Sequence, residues 1–488
     1  MRTNRLTVTL ALSLVLAACG GAGSGADPAS SAASSTGAND TSPGTSGTSG
    51  TSGNTPSSSG TSPGSALSWS TPATISKTAA SYPDLAIASD GFAVAVYVQP
   101  VNAGGTNALY GVVRQPGSNQ WSTPVSLSAA GENPAMVTPA SGNLATPAAN
   151  RVVVNRTTGD ATVAWIDQAS VAYPAAQSIY IASYQRSSNN WSTPTRLGYA
   201  SSMPALSINR KGDVVLAYMA PGATADAPVI QGDVIASGKT TSFGPIAAGH
   251  SDGTPPQVSI DGSDNVNVAW SAWDNSSAFQ LLAARRLANN TVGATQVVAG
   301  SSSTNLQFSL AASDNGAAVI GVALNQQIYT ARLPAGAINW QAPMYVAGAT
   351  VNFYPTVSTN SNGDAVLVFS AANTTNASYY ERAPWVATYS AASNSWTTAS
   401  QIASATNGVG QPKVWLGDDS SVFLSMRGTA IMSWRRSAAA TNWTQTIHDL
   451  TGVAPVSAAD PVTGAAALVW LDSNTADNMV GLLAEVWH

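Results

Sequence analysis

The chain predicts an all-β fold, an eight-bladed β-propeller of four-stranded antiparallel blades, with seven blades as the alternative count. Three features of the sequence carry this reading. First, the aromatic-led phrase Trp69-Ser70-Thr71-Pro72 returns as Trp121-Ser122-Thr123-Pro124 and Trp191-Ser192-Thr193-Pro194, with looser copies starting at Phe243, Trp340, Trp396 and Trp443. A repeat of about 50 residues means one supersecondary unit that cannot bury its apolar face alone. Second, each unit holds four short apolar segments that alternate with polar residues and show no helical period. Third, only 9% of the residues are charged, and Lys77, Lys211, Lys239 and Lys413 are the only lysines. Long helices with solvated Glu/Lys faces find no support there, whereas Ser, Thr, Asn and Gly suit strands and turns.

Each unit reads in the same order. The aromatic-led segment comes first, as in Trp191 to Leu197. A proline-led segment follows, as in Pro83-Asp84-Leu85-Ala86-Ile87, Pro204-Ala205-Leu206-Ser207-Ile208 and Pro256-Gln257-Val258-Ser259-Ile260. A turn comes next, marked by Gly91, Gly159, Gly212, Gly316, Gly363 or Gly464. Six residues after that glycine stand Tyr97, Trp165, Tyr218, Phe369 and Trp470, with Val322 in the remaining unit; Trp270 has the same place after Asp264. An even offset keeps these side chains on one face of a strand, where they would wedge between neighbouring sheets. The fourth segment is typified by Ile179-Tyr180-Ile181-Ala182-Ser183-Tyr184. Units start at Trp69, Trp121, Trp191, Phe243, about Val292, Trp340, Trp396 and Trp443. The last segment, Val480 to Trp487, lacks an aromatic-led strand after it, and Trp69 to Ile75 lacks a blade before it. Pairing of these N- and C-terminal strands would close the ring and leave no open edge at the seam.

The N-terminal segment reads as an export signal. Arg2 and Arg5 precede an apolar run from Leu6 to Val15, too short to span a bilayer, and then Leu16-Ala17-Ala18-Cys19. That last block resembles the bacterial lipobox, and the resemblance implies cleavage before Cys19 and lipidation of its thiol. Cys19 is the only cysteine, so no intrachain disulfide forms. The absence of Asp after Cys19 implies, by the same resemblance, an outer-membrane lipoprotein, periplasmic or surface-exposed. Three segments are therefore expected: a signal peptide over 1–18, a Ser/Gly/Thr-rich tether over 19–66 and the propeller over 67–488. The tether has too few large apolar residues to offset the entropy of ordering it. The net charge of −5 and the lack of a basic stripe exclude nucleic acid as an expected partner. The pairs Arg285-Arg286 and Arg435-Arg436 read as solvated strand ends.

In the usual propeller order the proline-led strand is innermost and the aromatic-led strand outermost. One face then carries tight turns and the other carries loops of varying length. Varying loops on a rigid scaffold are where binding usually lives. Candidate ligand-binding residues are therefore drawn from those loops: Asp167, His250, Trp273, Asp274, Tyr379, Tyr380, Glu381, Arg382 and Asp472. Exposed Trp and Tyr beside Asp acceptors suit a sugar ring, with its apolar face and hydroxyl edges. Gly249-His250-Ser251-Asp252-Gly253 matches a nucleophile elbow, but Thr254-Pro255-Pro256 follows where a helix would be needed. Asp261-Gly262-Ser263-Asp264-Asn265 misses the calcium-loop spacing and reads as a hairpin turn. His250, His448 and His488 share no zinc-like spacing, so neither a metal nor another cofactor is expected.

The blade pattern, with its Trp columns and Asp-Gly turns, resembles sialidases and related glycan-binding (BNR-like) repeats. The resemblance covers the blade pattern alone. Ser89-Asp90-Gly91 and Ser313-Asp314-Asn315-Gly316 are partial echoes of the sialidase Asp-box, and no catalytic residue is carried over. The expected function is thus a monomeric envelope lipoprotein, held to the membrane by its lipid, whose propeller binds glycan or protein ligands without catalysis. A glycoside-cleaving propeller and a structural scaffold are the alternatives.

Overall fold

Alternation of apolar residues makes the strands, and what each strand cannot satisfy alone sets the architecture. The computed structural model describes residues 68–77, 80–101, 106–135, 151–167, 177–223, 228–251, 254–273, 278–302, 306–346, 351–372, 382–404, 411–472 and 481–487. They form eight antiparallel sheets, the blades of an all-β propeller. Cys19, Asp274, Tyr379, Tyr380 and Glu381 lie outside the described residues, as do the expected signal peptide and the tether.

Blade 3 shows the plan, with strands Ala205–Ile208, Val214–Ala220, Val229–Ala236 and Lys239–Ala247 pairing in chain order. The innermost strands of blades 1 to 8 are Ser81–Ile87, Val152–Val154, Ala205–Ile208, Gln257–Ile260, Gln307–Ala312, Val351–Thr359, Lys413–Leu416 and Val453–Ala459. Each of them packs beside the next, and the eighth packs beside the first, so they ring a central channel. The hydrophobic core lies between blades rather than within any one of them. Trp165, Tyr184 and Phe92, for example, fill the space between blades 1 and 2. The aromatic column expected from the glycine offset is buried throughout: Tyr97, Trp165, Tyr218, Trp270, Phe369 and Trp470. Each such side chain withdraws about 150–250 Å² from water.

The ring closes as the sequence predicts. Strand Ala73–Ser76 pairs antiparallel with Gly481–Trp487, placing Ala73 opposite Ala484 and Thr74 opposite Leu483, while Trp69 bridges to Trp487. The Ser70 N–H donates to Val486 O at 2.9 Å, and the Val486 N–H donates to Ser70 Oγ at 3.1 Å. Blade 8 therefore takes its outermost strand from the N-terminal segment.

The arginine pairs correct the sequence reading. Arg285 and Arg286 are buried, and Arg435 and Arg436 are half-buried, because the turn of the following blade folds over each strand end. Arg285 Nη1 donates to Gly316 O at 2.9 Å and Arg435 Nη1 to Gly464 O at 3.1 Å. The Asp261–Asn265 turn is a hairpin: Asp261 Oδ1 accepts the Ser263 and Asn265 N–H groups at 2.8 and 3.0 Å.

The closing strand gives a direct test. A chain lacking residues 1–76 exposes the edge of Gly481–Trp487 and uncovers the Trp69 contacts. Calorimetry and size-exclusion chromatography are expected to show a lower, broader transition and self-association. A sharp transition at the full-length Tm in that variant would contradict closure by this strand.

Candidate functional site

The central channel brings together charged side chains of several blades, among them Asp84, Lys413, Arg210, Asp314 and Asp418. Its wall is built from one column of the repeat. The residue three before the end of each innermost strand is, from blade 1 to blade 8, Asp84, Arg151, Ala205, Gln257, Ser309, Thr356, Lys413 and Val456. Five of these reach the innermost strand of the next blade. Asp84 Oδ2 accepts the Arg151 and Val152 N–H groups at 2.5 and 3.1 Å, and Arg151 Nη1 donates to Pro204 O at 2.6 Å. Gln257 spans two backbone groups, donating to Phe308 O at 2.7 Å and accepting from the Leu310 N–H at 3.0 Å. The Val357 N–H donates to Ser309 Oγ, and Thr356 Oγ1 donates to Pro412 O. These side chains fill hydrogen bonds that the edge of each innermost strand cannot find within its own sheet.

Burial dominates the electrostatics at this level. It pushes the Asp84 carboxyl above the usual carboxylate range, against the pull of Lys413 and the neighbouring N–H groups. It pushes the Lys413 ammonium down and the Arg151 guanidinium down to about 10.

A second ring lies at the face of tight turns. The residue two beyond each innermost strand is Ser89, Arg156, Arg210, Gly262, Asp314, Ser361, Asp418 or Pro461. Arg210, from blade 3, bonds Asp314 of blade 5 and Asp418 of blade 7 together, so its guanidinium crosses the mouth of the channel. Arg156 of blade 2 donates to Asp460 of blade 8 at 3.2 Å, and Ser89 of blade 1 sits between them. The Ser361 N–H and hydroxyl also donate to Asp418, at 3.0 and 2.9 Å. Gly262 lets the next turn come close, since a Cβ there would lie 2.7 Å from Asp314 O.

The two carboxylates that share Arg210 are pushed in opposite directions. Burial raises Asp314 above its usual range although Arg210 pulls it down. At Asp418 burial acts the same way, but hydrogen bonds from Arg210 and Ser361 outweigh it and hold the carboxyl low.

Beneath this ring is a cavity of about 240 Å³ lined by Asn209, Arg210, Asp314, Asn360, Trp415 and Asp460. A contiguous cavity of about 250 Å³ continues past Gln257, Ser309 and Lys413 along the channel. Both share Trp415, a residue that the sequence reading did not single out.

The residues drawn from the varying loops lie at strand ends on the other face and come from alternate blades. Asp167 ends the second strand of blade 2, is buried, and accepts the Asn133 N–H at 2.8 Å. Strand His250–Ser251 in blade 4 pairs with the end of Val266–Trp273, placing His250 opposite Trp273. Trp273 is 37% exposed and packs on Phe279 with ring centroids 3.9 Å apart. Arg382 of blade 6 is buried, its guanidinium 3.8 Å from the centre of the Phe353 ring. Asp472, half-buried, ends the second strand of blade 8.

Outside the channel, Ser433 Oγ lies 2.8 Å from His448 Nε2, and His448 Nδ1 lies 2.6 Å from Glu485 Oε2. The order of groups is that of a hydrolytic triad. However, the imidazole is fully buried and Ser433 is 1% exposed, with Trp69 set edge-on against the ring at 4.5 Å. No substrate reaches that hydroxyl, and the relay serves as a tie between blades 7 and 8.

No protein family model matches the chain, and no curated protein matches it. Among solved structures it is similar to a polysaccharide lyase, an ulvan lyase bound to a glucuronate–sulfated rhamnose ligand (10% identity, TM-score 0.46, covering 70% of this chain and 94% of that one). It is also similar to a sialidase from Streptococcus pneumoniae (10% identity, TM-score 0.39, 72% and 66% covered). A further likeness is to the β-propeller domain of the Trilobed protease from Pyrococcus furiosus (10% identity, TM-score 0.42, 85% and 94% covered).

The low carboxyl of Asp418 makes the cross-channel bridge pH-dependent. A depressed carboxylate contributes stability that is full above the unfolded value near 3.9 and is lost as pH falls through the lower folded value. Asp418→Asn is therefore expected to cost about 1 kcal/mol near neutral pH. Thermal melts of both chains from pH 7 to pH 3 should show the gap closing at the acid end. A gap that widens on acidification would contradict the assignment.

Proposed function

We propose that the protein is a non-enzymatic binding module of the cell envelope that takes a glycan at the turn-face mouth of its channel. The observation that carries this reading is the engagement of the acids there. Asp314 and Asp418 both bind Arg210, and Asp460 binds Arg156 and Ser89. Carboxylates held by guanidinium groups form a fixed lattice of donors and acceptors suited to hydroxyls. Trp415, which lines the same cavity, is the aromatic residue placed to offer an apolar surface to a sugar face. The likeness to a polysaccharide lyase and a sialidase is compatible with a glycan ligand.

One observation favours the second reading, a glycoside-cleaving enzyme. Asp314 and Asp418 are pushed apart in acidity, the arrangement in which one carboxyl donates a proton and the other stays ionised. In that case Arg210 must leave the pair before substrate enters. A glycan array on the full chain, with hydrolysis assayed in parallel, separates the two. Saturable binding without turnover, weakened about tenfold or more in Arg210→Ala, is the expected result. Turnover abolished by Asp314→Asn would replace the binding reading with the catalytic one.

The module is held to the outer membrane, in this proposal, by acyl chains on Cys19, with residues 19–66 as spacer. One acyl chain alone anchors weakly, whereas several together give stable attachment. Cys19→Ser is expected to accumulate as an uncut precursor that takes up no radiolabelled palmitate. Normal labelling of that variant would remove the anchor from the proposal.

A further inference from the structure

Two blades use the same arginine contact in different surroundings. Arg285 in blade 4 and Arg435 in blade 7 occupy one position of the repeat, opposite Asn267 and Phe423 respectively. Each donates from Nη1 to the turn glycine of the following blade, Gly316 or Gly464. In blade 4, Nη2 completes a fully buried ion pair with Asp261 at 2.7 Å. In blade 7 the residue at that position, the first beyond the innermost strand, is Gly417. Arg435 Nη2 is buried there with no hydrogen-bond partner. Aromatic faces surround the guanidinium instead, with Trp487 at 4.3 Å, Phe423 at 4.7 Å and Trp69 at 5.7 Å.

Where blade 4 has a carboxylate, blade 7 has a glycine, and a cavity opens beside it. A mainly apolar cavity of about 180 Å³ is lined by Gly417, Phe423, Arg435, Gly464 and Trp487. Asp460 also borders it, but its oxygens are engaged by Arg156, Ser89 and the Val462 and Thr463 N–H groups. Burial lowers Arg435 to about 10, with no acidic neighbour offsetting it. A guanidinium taken from water without its counter-ion is costly, and an anion that fits the space recovers part of that cost.

We propose that this cavity between blades 7 and 8 binds a small apolar monocarboxylate, whose carboxylate takes the position that the Asp261 side chain fills in blade 4. The aromatic walls hold the apolar part, and Arg435 is the counter-ion. The site borders the channel cavity, with which it shares Trp415, Asp460 and Pro461, and Trp487 in its wall is bridged by Trp69 at the seam.

Benzoate titrated into the full chain at constant ionic strength, followed by tryptophan fluorescence and calorimetry, tests this. Benzamide has nearly the same shape without the charge. Saturable benzoate binding is expected, with benzamide about tenfold weaker or more. Arg435→Met should lose benzoate binding to the same extent. Gly417→Asp supplies the carboxylate in cis. It should raise the Tm in the absence of ligand and abolish benzoate binding. A Cβ at 417 meets the side-chain ends of Asp419 and Ser421 at 2.6 Å, which can turn aside, and the Pro461 carbonyl at 3.3 Å, which must give by a few tenths of an ångström. Equal binding of benzamide, undiminished benzoate affinity in either variant, or no saturable binding in the wild type would each overturn the proposal. The benzamide comparison needs no variant to fold.

Discussion

An innermost propeller strand has one paired edge and one edge that faces the channel, and the rest of this structure depends on how that second edge is satisfied. Here the solution is lateral. Asp84, Arg151, Gln257, Ser309 and Thr356 each bond backbone groups of the neighbouring innermost strand. Four different chemistries, carboxylate, guanidinium, amide and hydroxyl, therefore perform one task at one register position. The hydrophobic interfaces between blades are broad but non-directional. The polar clasps fix the height of each blade relative to the next, because a donor displaced by one residue meets the wrong backbone group.

The turn face adds a second belt, and its charge is unevenly distributed. Arg156 and Arg210 stand on blades 2 and 3, whereas Asp314 and Asp418 stand on blades 5 and 7. Neighbouring blades at this level are joined mainly through backbone and hydroxyl contacts, such as Ser313 Oγ to Asn360 O at 2.7 Å and the Asp418 N–H to Pro461 O at 2.8 Å. Arg156 and Arg210 instead reach beyond the adjacent blade, although Lys211 pairs with Asp264 of the neighbouring one. A bond between distant blades resists ovalisation of the ring, which contacts between neighbours do not. It also places fixed positive and negative groups at the rim of a cavity, where lower dielectric strengthens their action on an entering ligand.

The blade pattern was legible in the sequence because it repeats. Trp165, Trp270 and Trp470 announce buried wedges by their offset from a turn, and the unmatched segment Trp69 to Ile75 announces closure. The channel site was not legible in the same way. Asp84, Arg151, Gln257 and Lys413 share a position but no residue type, so similarity between units conceals them. Aligning the eight units on the end of the proline-led strand, rather than on their shared residues, would have placed Arg156, Arg210, Asp314 and Asp418 in one column. Arg285 and Arg435 misled for a related reason. An arginine after an apolar run normally leaves the sheet for water, and only the turn of the following blade converts it into a buried tie.

In a repeat protein the informative comparison is therefore between equivalent positions whose surroundings differ. The clasp column varies in residue type while its role stays constant, so most of its side chains are already committed to the fold. The turn column behaves differently. Ser89, Gly262 and Pro461 there bring little or no charge, whereas Arg210 commits three blades to one guanidinium. The clasps and the interblade cores hold neighbouring blades together, and at this position Arg210 adds a tie across the opening. That charged span lies over a cavity with Trp415 in its wall, and in the proposed reading its donors and acceptors are the groups that meet a ligand.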